Sequence, residues 1–205
     1  MKSLTILTLF VSAFLLTGCP GGSSGGGGYL SDLERVQSNH MDFPSPRTRY
    51  FDGVRYKLSD IFYSHYNNDY VISDDYELAA NNQLNIYFSI ESFSFDDAEE
   101  FKFGFENIDD LSLLDAVHDH YAIRRNSTLE EATVSAKKSV PKEVAFPGVM
   151  QVITGSTYSH SPINSYFFAT LELEDRILVI QLIGGEESMQ YFYDDFIEIL
   201  TSISS

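Results

Sequence analysis

The runs Tyr166-Phe167-Phe168-Ala169-Thr170-Leu171-Glu172-Leu173 and Ile177-Leu178-Val179-Ile180-Gln181-Leu182-Ile183, joined through Glu174-Asp175-Arg176, decide the fold. Both are short, rich in β-branched or aromatic residues and bounded by turn residues, the pattern of a buried β-hairpin. Gly184-Gly185 is expected to stop the second strand. Beyond it Met189, Phe192, Phe196, Ile199 and Ile203 recur at three and four residues. A terminal helix with one apolar stripe follows from that spacing, with Ser188 as its N-cap.

Upstream, Gly148 to Ile153 reads as another strand, and Leu84, Ile86, Phe88 and Ile90 place four large apolar residues on one face of a core strand. Asn81-Asn82 suits a hairpin turn, with Tyr70 to Leu78 as the partner strand. Leu111, Leu114, Val117 and Tyr121 share one face of a helix that Asn107 to Asp110 lead into and Arg124-Arg125 close, charges that complement the helix dipole. A short helix is also expected near Leu30 to Gln37. Hairpin-connected strands with segregated helices make an α+β fold, an antiparallel sheet with helices packed on it. The ending, from Tyr166-Phe167-Phe168-Ala169 through Ile177-Leu178-Val179-Ile180 to Phe196-Ile197-Glu198-Ile199-Leu200-Thr201-Ser202-Ile203, resembles the PsbP/Mog1/DcrB-like fold. Many members of that fold are non-enzymatic lipoproteins or accessory proteins, so the resemblance implies a binding role.

The N-terminus carries an address. Lys2 precedes an apolar run from Leu4 to Leu16, too short for a spanning helix, which needs roughly 20 residues. The run ends in Leu16-Thr17-Gly18-Cys19, which resembles the lipobox of bacterial lipoprotein signal peptides. That resemblance implies a signal peptide over residues 1–18, cleavage before Cys19 and acylation of its sulfur. It also implies anchoring in the lipid bilayer of the cell envelope. Pro20 follows, not the Asp that retains lipoproteins at the inner membrane in enteric-type bacteria, so an outer-membrane anchor facing the periplasm is expected. Each buried acyl CH₂ contributes about 0.8 kcal/mol, so several chains hold such a protein durably. Residues 19–28 are then the lipidated cysteine and a Gly/Ser tether, whose nine residues from Pro20 to Gly28 span roughly 15 to 18 Å as a coil. Residues 29–205 are read as one α+β periplasmic domain. Cys19 is the only cysteine, so disulfides, Cys-ligated zinc and thiol catalysis in that domain are set aside together.

Among the 205 residues, 30 are acidic against 13 Lys and Arg, a formal charge of -17. Bulk charge of that sign disfavours nucleic acid and anionic head groups and suits a basic protein partner. The acid is concentrated: residues 69 to 119 hold 14 acidic side chains against Lys102 alone, and residues 172 to 198 hold eight against Arg176.

Chemistry-bearing clusters are few. His118-Asp119-His120 invites a metal, but residues two apart on a helix point about 200° from each other, so the two imidazoles cannot close on one ion. Asp115 with His118 or Asp119 shares a face, and a polar helix face is the expected role. Ser156, Ser159, His160 and Ser161 supply parts of a Ser-His-Asp hydrolase without a Gly-x-Ser-x-Gly elbow, and a Ser-rich loop between strands is the plainer reading. Neither a P-loop nor a Gly-x-Gly-x-x-Gly is present, and no cofactor is expected. The sequence therefore points to a non-catalytic, membrane-anchored binding module for a protein partner, with immunity-type inhibition of a basic toxin as one form. The alternative is an envelope hydrolase or metal-dependent enzyme built around His118 or Ser156 to His160. The partner surface is placed at the loop carrying His160, Pro162 and Asn164, with Glu172 and Glu174 at the hairpin turn acting at long range.

Overall fold

Asp52 and Gly53, at φ 46° and 77°, turn the chain tightly between β1 (Arg47–Phe51) and β2 (Val54–Leu58). Two successive left-handed residues match the twist of a two-residue hairpin, and Asp-Gly is a favoured pair for them. The computed structural model describes residues 47–58, 62, 70–72, 76–81, 85–106 and 110–205. The expected signal peptide, Cys19, the tether and the expected helix at Leu30 to Gln37 lie outside the described residues.

The main sheet is built from β3 (Tyr70–Ile72), β4 (Tyr76–Asn81), β5 (Ile86–Ser94), β6 (Glu130–Val134), β7 (Lys138–Ser139), β8 (Gly148–Ser156), β9 (Asn164–Glu172) and β10 (Arg176–Gly185). Its order is β3-β4-β5-β10-β9-β8-β6, with β7 also paired to β8, and every pairing is antiparallel. The expected α+β class, an antiparallel sheet with helices packed on it, is what the chain adopts. The hairpin at Asn81 is present in the register Asn81 to Ile86. Its first strand is shorter than expected, because Tyr70 to Ile72 forms a separate strand on the far side of β4.

Alternation along the central strands gives the sheet two apolar faces. On one, Ile86, Phe88, Ile90, Phe167, Ala169, Leu171, Leu178, Ile180 and Leu182 pack under the β1/β2 hairpin and two C-terminal helices, α3 (Glu186–Met189) and α4 (Tyr193–Ser202). On the other, Ile177, Val179, Ile153, Tyr166 and Phe168 lie under α1 (Phe95–Glu99), a 3₁₀ turn at Glu100–Gly104 and α2 (Leu113–Ser127).

The expected terminal stripe is buried as read: Met189, Phe192, Phe196, Ile199 and Ile203 all lie in the first core. Its expected cap is not where the spacing put it. Gly184 and Gly185 stay in β10, α3 begins at once from Gly185, and Ser188 is buried inside α3. The reason is local packing: Met189 folds back over the strand end, with its Sδ 3.0 Å from where a Gly184 Cβ would sit, so a larger residue there would have to push the Met189 side chain aside. The chain then restarts as α4, with Phe192 at its N-cap position. At the far end Arg55 and Ser204 exchange backbone hydrogen bonds of 2.7 and 2.8 Å, which ties the C-terminus to β2.

The α2 start also differs from the expectation. Ser112 caps it, its Oγ accepting from Asp115 N at 3.0 Å and donating to Asp115 Oδ2 at 2.7 Å. Leu111 therefore precedes the helix, while Val117 and Tyr121 face the sheet as expected.

Candidate functional site

The face of α2 turned to the sheet carries polar groups among its apolar ones, and His118 is at their centre. The ring is fully buried and stacks on Phe168 with centroids 4.5 Å apart. Gln151 Nε2 donates to Ser135 O at 2.9 Å, which leaves its Oε1 to meet His118 Nε2 at 3.1 Å. A carbonyl oxygen only accepts, so Nε2 carries the ring proton and Nδ1 accepts from the Thr170 hydroxyl at 3.0 Å. Burial holds this histidine down at about 4, against the weaker opposite pull of its Gln151 bond. It is a neutral imidazole with both nitrogens engaged. This corrects the expectation of a polar helix face at this position: His118 points into the core, and the sheet supplies Thr170 and Gln151 to satisfy it.

Asp115 and Asp119, one turn apart, both grip Lys137 Nζ, at 2.8 and 2.7 Å. The Lys137 hydrogen bond holds the Asp115 carboxyl below its ordinary range. His120 points elsewhere, edge-on to Phe101 at 4.8 Å. Thus the two imidazoles of the His-Asp-His triplet diverge as helical geometry demands. Among the described residues no group of three His, Cys, Asp or Glu side chains is placed to hold a metal ion.

A second cluster, half-buried, was not legible in the sequence. Tyr121 Oη donates to Glu91 Oε2 at 2.6 Å, and Gln181 Nε2 to Glu91 Oε1 at 3.3 Å. Burial pushes the Glu91 carboxyl up, the Tyr121 bond and the nearby Arg124 and Arg125 acting against it. Burial also raises Tyr121, with the Glu91 charge adding to it. Arg125 lies 4.4 Å over the Tyr166 ring. Glu91 and Gln181 occupy strand positions where alternation alone predicts apolar or solvated residues. Only the pairing of β5 with β10, under a tyrosine from α2, brings the three together.

The expected partner surface falls into two separate ends. His160 is exposed at φ 69°, a left-handed position that histidine tolerates better than most side chains. Pro162 is exposed beside it, and Asn164 is half-buried as the first residue of β9. Glu172 and Glu174 lie at the other end of that strand, half-buried and exposed respectively, separated from the loop by a strand length of roughly 27 Å. Ser156 is in β8, and Ser161 Oγ accepts from Tyr158 N at 3.2 Å, a turn-forming contact.

At the hairpin end the charge is partly neutralised. Arg176 Nε and Nη2 donate to the Asp175 carboxylate at 2.8 and 2.7 Å, and Nη1 donates to Asp52 O at 2.6 Å and pairs with Asp52 Oδ2. The Arg176 hydrogen bond keeps Asp175 below its usual range, and Asp175 in turn raises Arg176. Ser92 Oγ also donates to Asp52, at 2.6 Å. These contacts fasten the tip of the first hairpin to the β9/β10 turn, beside which Glu174 is exposed and Glu172 half-buried.

No protein family matches the chain, and no curated protein matches it. Among solved structures it is similar to the Ran-binding protein Mog1p of Saccharomyces cerevisiae, with a TM-score of 0.49 and 10% identity over 78% of this chain and 96% of Mog1p. It is also similar to PA94 of Pseudomonas aeruginosa, with a TM-score of 0.42 and 8% identity over 79% of this chain and 98% of PA94. Likeness at this identity transfers neither partner nor activity.

Proposed function

We propose that this chain is a lipid-anchored envelope protein whose domain is a non-catalytic binding module for a protein partner. The observation that carries the reading is the composition of the β8/β9 loop end. Tyr158 and Ile163 are 58% and 49% exposed there, on a loop whose Ile163 O accepts from Glu186 N at 3.0 Å. Tyr191 is 47% exposed just beyond α3. Apolar side chains held outward on a rigid sheet, next to the carboxylates of Glu186 and Glu187, form the kind of surface on which protein recognition is placed.

The groups around His118 that a metal-dependent enzyme would need are otherwise occupied. The His118 ring has no nitrogen to offer, and Asp115 and Asp119 are committed to Lys137. Supporting the anchor is the lipobox-like Leu16-Thr17-Gly18-Cys19, followed by the Gly/Ser tether. Acylated Cys19 would hold the domain at the outer membrane, facing the periplasm. In its narrower form the module is an immunity-type inhibitor of a basic toxin, captured quickly because an acidic domain steers it in.

The test is affinity capture with the full chain on membranes of the cells that produce it, beside the Cys19→Ser variant. One protein recovered in stoichiometric amount with the membrane-bound chain, and release of Cys19→Ser to the soluble fraction, are the expected results. Recovery of no protein, or an acylated Cys19→Ser chain, contradicts the proposal.

A further inference from the structure

The opposite end of the sheet carries the most exposed large apolar side chain among the described residues, Phe103 at 79%. Ser94, the N-cap of α1, sits opposite Arg176 in the β5/β10 register, so α1 and the following 3₁₀ turn start beside the β9/β10 hairpin tip. Inward, this segment is fixed: Ala98 is fully buried, and Phe101 packs edge-on to Phe93 at 5.1 Å and His120 at 4.8 Å. Phe103 is two residues on, in the same 3₁₀ turn, and faces out. The turn is held rigidly while its aromatic ring is left in water.

The surroundings of that ring are anionic. Glu100 lies three residues before it, and in a 3₁₀ turn residues three apart eclipse each other. Glu99 and Glu106 flank it, and from Phe93 to Asp110 the sequence has seven acidic residues against Lys102 alone. Lys102 is itself paired with Glu99 at 3.3 Å.

We infer that Phe103, with Glu99, Glu100 and Glu106 around it, is the anchor of a docking surface for a basic segment of a protein partner that carries an apolar pocket or groove. This rests on the binding-module reading above and names a second surface for it. Charge selects the occupant. A second copy of the chain would bring its own net -17 against this surface, and an anionic bilayer would be repelled in the same way. An aromatic anchor ringed by carboxylates instead matches a Lys- or Arg-bearing surface, where an exposed ring can bury its whole area while the charges set orientation and arrival rate.

The experiment places the photo-crosslinking residue p-benzoylphenylalanine at position 103 or, separately, at position 163 of the full chain in the producing cells, with mass identification of adducts. The proposal expects an adduct at 103 with a protein rich in Lys and Arg, its yield falling about fivefold or more when Glu100→Lys and Glu106→Lys are added. An adduct at 163 alone overturns the Phe103 surface and leaves the binding-module reading intact. Adducts at neither position overturn both. At 103, an adduct with a second copy, with lipid or with an acidic protein overturns the assignment of the occupant, as does a yield indifferent to the charge reversals.

Discussion

His118 Nδ1 and Thr170 Oγ1 meet at 3.0 Å across the interface between α2 and β9, the hydroxyl donating to the ring nitrogen that the Gln151 amide oxygen, by accepting from Nε2, leaves without a proton. The folded ring is neutral down to about pH 4, whereas in the unfolded chain it titrates near 6.5. Between those values the unfolded state binds a proton that the folded state does not, so this residue's contribution is complete above pH 6.5 and is lost as pH falls toward 4.

The difference in unfolding free energy between wild type and His118→Gln should therefore grow by about 3 kcal/mol from pH 4 to pH 6.5. Subtracting the variant removes other carboxylates from the comparison. Urea melts across that range check it, and a flat difference curve would show that His118 is not held neutral by the fold.

Glu91 titrates with the opposite sign. Its folded carboxyl is raised from 4.5 by burial, so its contribution is present below pH 4.5 and is lost as pH rises through the higher folded value. Glu91→Gln keeps an oxygen for the Tyr121 hydroxyl and removes the partly desolvated charge. At pH 8 the variant should melt at or above the wild-type temperature, and the difference should turn against it as pH falls toward 4.5. A variant markedly less stable at pH 8 would mean that the charge is better compensated by Arg124 and Arg125 than its burial suggests.

The two exposed and buried extremes of the phenylalanines make a paired test. Phe196 is fully buried between β9 and the C-terminal helix stripe, 6.0 Å from the Phe167 ring. Phe196→Ala should cost about 3 to 5 kcal/mol. Phe103→Ala should change stability by no more than about 0.5 kcal/mol, because the ring is mostly in solvent already. Thermal and chemical melts of both read this directly, and equal effects would contradict the packing described.

Gly148 is a glycine for reasons of space. A Cβ there would lie 2.5 Å from Leu171 Cδ2 and 2.6 Å from Thr170 O, and the carbonyl belongs to the β8/β9 ladder. Gly148→Ala should destabilise by about 1 to 3 kcal/mol. Wild-type stability in that variant would mean that β8 can shift at its start without loss.

The parts of this fold that were legible from sequence are those in which a period meets a long apolar run. β9, β10 and the stripe from Met189 to Ile203 are of this kind, since burial on a sheet or helix face demands the spacing that the residues show. β6 and β7 were not legible, because they form a mostly exposed edge with a register irregularity at Glu130/Thr133, where no core selects apolar alternation. The break between α3 and α4 was hidden too: the stripe runs across it, and only the contact of Met189 with Gly184 shows why the chain turns early. At the candidate sites, the divergence of His118 and His120 followed from helical geometry, but the burial of His118 did not, since its partners Thr170 and Gln151 are 52 and 33 residues away. Phe103 was one aromatic residue among 16 phenylalanines until the packing of Phe101 showed which ring was left outside.

Electrostatic steering of a basic partner onto the proposed acidic binding module would make the association rate of the purified full chain with the captured partner depend on salt. Stopped-flow measurements from about 0.05 to about 0.5 M salt should show the rate falling by about tenfold or more, while the dissociation rate changes far less. An association rate that is the same at both ends of that range would contradict steering and leave the acidic surface with a solvating role alone.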